Sequence, residues 1–147
     1  MRQQRVVRVG LLGFGTIGSS VYRLIQQEHD QILEGTGVDL QVAKVLEIDP
    51  SKAPADAPPR LFTQDFAEIL EDPSIEIVVE VIGGTDAAFT YLDAALRQGK
   101  NIVTANKQLI ATRGQSLFTL ARDLGRHLRF EASVAGAVPV IKVMRES

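Results

Sequence analysis

Val6-Val-Arg-Val-Gly-Leu-Leu-Gly-Phe-Gly-Thr-Ile-Gly18 is the stretch on which the fold turns. Val6 to Leu12 is a short apolar run with β-branched residues, broken only by Arg8 and closed by glycine, the pattern of a buried strand. From Thr16 to Glu28, Ile17, Val21, Leu24 and Ile25 recur at helical spacing, with Arg23, Gln26, Gln27 and Glu28 on the other side. Between strand and helix, Gly13-Phe14-Gly15-Thr16-Ile17-Gly18 reads G-x-G-x-x-G. The first glycine permits the tight turn, the second lets backbone approach a pyrophosphate, and the third allows close helix packing, with the helix N-terminus facing the anion. A glycine turn without ligand is the blander reading; the strand before it and the helix after it favour dinucleotide binding.

Outward from this turn, strands and helices alternate. The helical pattern runs on through Gly35-Thr36-Gly37, Leu40 to Ile48 reads as a second strand, and Pro50 to Arg60, with four prolines, reads as a loop. Asp65 to Glu71 is a short helix stopped by Pro73, Ile75 to Ile82 a strand interrupted by Glu76 and Glu80, and Asp86 to Gln98 a helix stopped by Gly99. Asn101 to Thr104 is the next strand, Gly114 to Leu124 a helix, and Leu128 to Glu131 a last strand before a turn at Ala135 to Ala137. Val138 to Ser147 looks like the start of another helix. Strands apolar on both faces and separated by helices imply an α/β, Rossmann-type doubly wound, mostly parallel sheet with helices on both faces, in one domain over 1–147. Ligands bind such sheets beyond the carboxyl ends of the strands. Those ends carry Gly13 to Gly15, Asp49, Gly83-Gly84-Thr85, Thr104 to Lys107 and Ser133 to Ala137.

Composition narrows the class of function. The 147 residues are 45% hydrophobic and 23% charged, with 16 Lys+Arg against 18 Asp+Glu, a net charge of −2. That slight negative balance argues against nucleic acid or an anionic membrane as partner. The longest stretch free of charged residues, Val9 to Tyr22, is too short to span a bilayer and is broken by glycines. Met1-Arg2-Gln3-Gln4-Arg5 therefore reads as a mature cytosolic N-terminus rather than a secretory signal, and a cytoplasmic location is expected. No cysteine is present, which excludes disulfides, thiolate metal sites and a cysteine nucleophile. His29 and His127 both lie in polar surroundings and read as solvated surface; no G-x-S-x-G or H-E-x-x-H pattern supports a hydrolase.

Cofactor choice rests on the end of the second strand, where an acid takes the ribose hydroxyls of NAD and a cation takes the phosphate of NADP. Asp49 and Glu47 are the candidates, 31 and 29 residues after Gly18 against a usual spacing of about 20. Lys52 is the nearest cation, so NAD is favoured over NADP. Lys107, at the binding edge, would place an ammonium near the nicotinamide end, able to hold a carbonyl or carboxylate oxygen. A plain exposed lysine is the commoner outcome for that residue type. Glu131 and the carbonyls after it offer hard oxygen ligands for a cation, against the more frequent buried or capping carboxylate.

Taken in order, Val9-Gly-Leu-Leu-Gly-Phe-Gly-Thr-Ile-Gly18, Glu80-Val-Ile-Gly-Gly84, Val103-Thr-Ala-Asn-Lys107, Leu109-Ile-Ala111 and Phe130-Glu-Ala-Ser-Val-Ala-Gly-Ala-Val-Pro-Val-Ile141 resemble the homoserine dehydrogenases over nearly the whole chain. The Thr-Ala-Asn-Lys and Glu-Ala-Ser-Val-Ala-Gly segments are the specific part. The resemblance implies NAD(P)-dependent interconversion of L-homoserine and L-aspartate 4-semialdehyde, a small-molecule substrate, in threonine, methionine and isoleucine biosynthesis. It further implies that Phe14, Gly15, Thr16, Ile17 and Gly18 form the cofactor turn. Gly84 and Thr85 line the nicotinamide side, and Thr104 and Lys107 lie close to cofactor and substrate. Lys107 is one of two lysines assisting the chemistry. Glu131 with the carbonyls of Val134, Gly136 and Val138 would hold a sodium ion.

Two departures bear on this. Many members end the second strand in Arg-Asp, whose arginine suits the NADP phosphate, whereas Ile48-Asp49 stands here. A turn often written Ala-Gly-Gly is Ala135-Gly136-Ala137. Family enzymes also continue well beyond this length into a substrate and dimerisation domain, in which they are homodimers. The 147 residues by themselves are thus expected to bind cofactor and turn over poorly or not at all. Another Rossmann amino-acid dehydrogenase, such as an aspartate dehydrogenase, and a non-catalytic NAD-sensing domain are the alternatives.

Overall fold

The computed structural model describes residues 4–131. The elements are β1 (Arg5–Leu12), α1 (Thr16–Gln27), α2 (His29–Thr36), β2 (Val38–Leu46), a single 3-10 turn (Pro50–Lys52), β3 (Phe62–Thr63), α3 (Ala67–Leu70), β4 (Ile75–Glu80), α4 (Asp86–Arg97), β5 (Asn101–Thr104), α5 (Lys107–Asp123) and β6 (Leu128–Phe130). The strands form one six-stranded sheet in the order β3-β2-β1-β4-β5-β6. Every pairing in it is parallel. The winding reverses between β1 and β4, the position at which doubly wound sheets open a crevice for dinucleotides.

Alternation along the central strands feeds two cores, as a sheet covered on both faces requires. Val7, Val9 and Leu11 of β1 and Ile77 and Val79 of β4 pack with Val21, Ile25 and Ile32 of α1 and α2. Val78 of β4 and Ile102 of β5 pack on the opposite face with Leu92 and Leu96 of α4 and Leu109 and Leu117 of α5. Each such fully buried side chain contributes about 1.5–3 kcal/mol relative to exposure, enough to fix which face each helix covers.

Several elements depart from the expected bounds, each for a visible reason. The first helical stretch breaks at Glu28 into α1 and α2. It stops at Gly37, which takes the left-handed conformation at φ 75°. The second strand starts earlier and ends at Leu46, because Glu47 and Asp49 turn their side chains onto local amides. The fifth helix begins at Lys107 rather than Gly114: Asn106 Oδ1 accepts the Leu109 amide at 3.0 Å as an N-cap. Gly114 lies inside that helix, where a Cβ would stand 3.1 Å from Ile110 Cγ2. Strand β3 was not expected; its two residues pair with Val45 and Leu46.

His29 is not simply solvated. Its Nε2 lies 2.6 Å from Asp39 Oδ1, tying α2 to β2. His127 is partly buried at the entrance to β6, its amide donating to Asn101 Oδ1 at 2.9 Å. The turn expected at Ala135 to Ala137 and the helix start at Val138 to Ser147 lie outside the described residues. Among the described residues no helix is long and apolar enough to cross a membrane.

Candidate functional site

The glycine turn leaves β1 at the reversal point and is held from both sides. The Gly13 amide donates to Leu46 O at 2.9 Å, and Leu12 O accepts the Val81 amide at 2.9 Å. Gly13 adopts φ 104°, in the left-handed region that favours glycine. A Cβ on Gly18 would stand 2.1 Å from the Gly13 carbonyl oxygen, so only glycine lets α1 close onto the turn. Gly15 differs: a Cβ there would meet nothing within 4 Å, and as the N-cap of α1 it gives the helix no side-chain cap. The helix N-terminus therefore opens into free space, the arrangement that a pyrophosphate fits.

A cleft of about 630 Å³ spreads from this opening between the ends of β2 and β4. Gly13, Phe14, Gly15 and Asp49 line it together with Glu47 and Lys52. Phe14 contributes backbone only, because its ring is buried against Tyr22 and Phe62, at centroid distances of 5.7 and 5.0 Å. Its amide donates to Glu47 Oε1 at 3.0 Å, while Glu47 Oε2 accepts the Asp49 amide at 3.0 Å. The Glu47 side chain is only 9% exposed, and Lys52 Nζ approaches Oε1 at 3.9 Å. Asp49 lies further out and accepts the Ser51 hydroxyl at 2.7 Å and the Ser51 amide at 3.0 Å. Those hydrogen bonds, with Lys52 nearby, hold its carboxyl below the usual range. Ile48 between the two acids is 79% exposed.

The remaining candidates do not line the cleft. Thr16 and Ile17 are exposed on the first turn of α1. Gly84 is exposed, with φ 72°, and Thr85 leads into α4. Lys107 is exposed as the first residue of α5. Thr104 is fully buried, and its hydroxyl donates to Glu80 Oε1 at 2.5 Å, so this side chain turns into the protein. Glu131 follows β6, its amide donating to Thr104 O at 3.0 Å. The other cation candidates, Val134, Gly136 and Val138, lie outside the described residues. Among the described residues no cluster of three or more His, Cys, Asp or Glu side chains forms a metal site.

Sequence reading passed over two residues, Glu80 and Asn106. The signal for Glu80 was present, a carboxylate within an otherwise apolar strand. Asn106 stood within the Thr104-Ala-Asn-Lys107 segment at the binding edge, but its capping role was hidden because the helix was expected to begin only at Gly114.

Comparison with known proteins gives a single direction. The family model described as "Homoserine dehydrogenase, NAD binding domain" matches residues 13–131. A homoserine dehydrogenase of Bacillus subtilis is 40% identical over 143 residues, covering 97% of this chain and 33% of that protein. The solved homoserine dehydrogenase of S. aureus superposes with a TM-score of 0.83 at 38% identity, over 92% of this chain and 34% of that one. A hyperthermophilic archaeal homoserine dehydrogenase in complex with NADPH superposes at 0.69 with 25% identity, over 97% of this chain and 49% of that one. The chain spans about a third of the length of the curated relatives it matches.

Proposed function

This chain belongs to the homoserine dehydrogenase family through its NAD-binding domain, and from that membership we propose that it is the cofactor-binding part of an enzyme interconverting L-homoserine and L-aspartate 4-semialdehyde, with NAD preferred over NADP. The observation that carries the cofactor preference is the edge of the cleft facing the glycine turn. Asp49 presents a carboxylate where the adenosine ribose belongs, to accept its hydroxyls and repel a 2′-phosphate, and Glu47, turned inward, holds the Phe14 and Asp49 amides that shape this edge. The exposed Ile48 offers that phosphate no charge, and the nearby Lys52 already sits beside Glu47. An archaeal relative is described with NADPH, so this edge is where the two would differ.

The chain's own groups have distinct tasks in this reading. The turn from Gly13 to Gly18 brings backbone and the open N-terminus of α1 to the pyrophosphate. Gly84 and Thr85 border the nicotinamide side, with Thr104 beneath them. The bound nicotinamide supplies hydride transfer. Lys107 holds an oxygen of the substrate by a charge-assisted hydrogen bond. An ammonium on the first residue of a 17-residue helix works against the helix dipole by about 0.3–1 kcal/mol, a cost that an anionic or carbonyl oxygen held there offsets.

Calorimetric titration with NAD and NADP tests the reading, with Glu47→Gln and Asp49→Ala alongside. NAD is expected to bind more tightly, and both variants to weaken NAD and narrow the gap to NADP. Tighter binding of NADP would overturn the preference, and binding of neither would overturn the site.

A further inference from the structure

Glu80 closes β4 fully buried, and among the described residues no cation pairs with it. Taking a carboxyl group out of water costs several kcal/mol, which an apolar residue at this position would avoid. What the group does instead is connect. Its Oε2 accepts the Ile82 amide at 2.9 Å and its Oε1 the Thr104 hydroxyl at 2.5 Å. Thr104 Oγ1 accepts the Asn106 amide at 3.1 Å. Asn106 Nδ2 then donates to Gly84 O at 2.5 Å, while its Oδ1 caps the Leu109 amide at 3.0 Å. The relay begins at Ile82 and returns to Gly84, and it encloses the exits of β4 and β5 together with the first turn of α5.

Two exposed features depend on that closure. Gly83 and Gly84 both take the left-handed conformation, at φ 75° and 72°, with open space where their side chains would be. Such a segment has little packing of its own to fix it, and the Asn106 amide is the side-chain group that grips its carbonyl. Lys107 follows Asn106 directly, so the residue that grips the turn also sets the base from which the ammonium projects.

We propose that the Glu80–Thr104–Asn106 relay is a positioning device for the nicotinamide end of the site: it sets the distance between the Gly83-Gly84 turn and Lys107, with Glu80 as a positioning residue that touches neither cofactor nor substrate. This rests on the reading above that the nicotinamide lies on the Gly84 and Lys107 side. The adenosine half, built by Gly13 to Gly15 with Glu47 and Asp49, shares no hydrogen bond of the relay.

That separation supplies the test. NADH and ADP-ribose share the adenosine half, and only NADH carries the nicotinamide, so the ratio of their affinities isolates the relay from a general loss of fold. Both ligands are titrated into the 147-residue chain and into Glu80→Gln and Asn106→Asp. The second variant keeps the oxygen that caps Leu109 and loses the N–H that holds Gly84, so it carries the test should Glu80→Gln fail to fold. In each variant NADH is expected to weaken about tenfold while ADP-ribose changes less than about twofold. An unchanged ratio in folded variants overturns the proposal and leaves the cofactor reading standing. Failure of the parent chain to bind either ligand overturns the cofactor reading, and the relay's role falls with it.

Discussion

His29 shows how a single side chain acquires a role from two aspartates, one on another element and one next to it in the chain. Asp39 on the neighbouring strand accepts from its Nε2 side, and Asp30, next in sequence, lies 3.2 Å from Nδ1. The hydrogen bond to Asp39 is the main cause that raises its pKa above the ordinary 6.5, with Asp30 second. The folded state therefore binds the imidazole proton more tightly than the unfolded chain. The stabilisation is fully present below pH 6.5 and is lost as pH climbs through the raised folded value. Thermal unfolding of His29→Gln beside the parent chain measures this. The melting-temperature deficit of the variant is expected to be larger at pH about 5.5 than at pH about 8.5. A deficit independent of pH would show that the ring acts by packing alone.

Within the glycine turn and helix α1, two glycines of one motif separate folding from binding. Gly18 has backbone of the turn where its Cβ would go, at 2.1 Å from Gly13 O and 2.8 Å from Gly13 C. Gly18→Ala must push helix and turn apart, at a cost of about 1–3 kcal/mol. Gly15 has open space and the N-cap position, where serine serves a helix at least as well as glycine. Gly15→Ser is thus expected to leave stability within about 0.5 kcal/mol and to weaken NAD at least about tenfold, by filling the space the pyrophosphate needs. Urea unfolding and NAD titration of the two variants read both effects. Equal stability losses in both would contradict the packing difference.

For the molecule as a whole, a ligand bridging the cleft ties β1, β2 and β4 through their carboxyl ends. NAD at a hundred times its Kd should add about 2.7 kcal/mol of stability, visible as a rise in melting temperature that scales with the logarithm of its concentration. No rise on adding NAD would count against a working site in this chain. Local pattern carried much of the architecture. Asn101 to Thr104 is a strand with the bounds that its four residues between Gly99-Lys100 and a polar turn implied, and the alternation of strands and helices gave the parallel sheet. Where a single residue type overrode the period, pattern misled: Gly114 read as a helix boundary, yet α5 carries it as an interior residue beside Ile110. Strand β3 is two residues long, too short for any period, and exists through its pairing with Val45 and Leu46. The site divides in the same way. The sequence by itself determined the glycine turn, the helix that follows it and the pair of acids at the end of β2, because each is a matter of neighbours along the chain. Only the tertiary structure decided that Glu47 turns inward to Phe14 while Asp49 stays out, that Glu80 meets Thr104, and that Asn106 meets Gly84. Those contacts join residues 22 to 33 positions apart, and side-chain direction there is set by strand register and burial, which local periodicity does not encode.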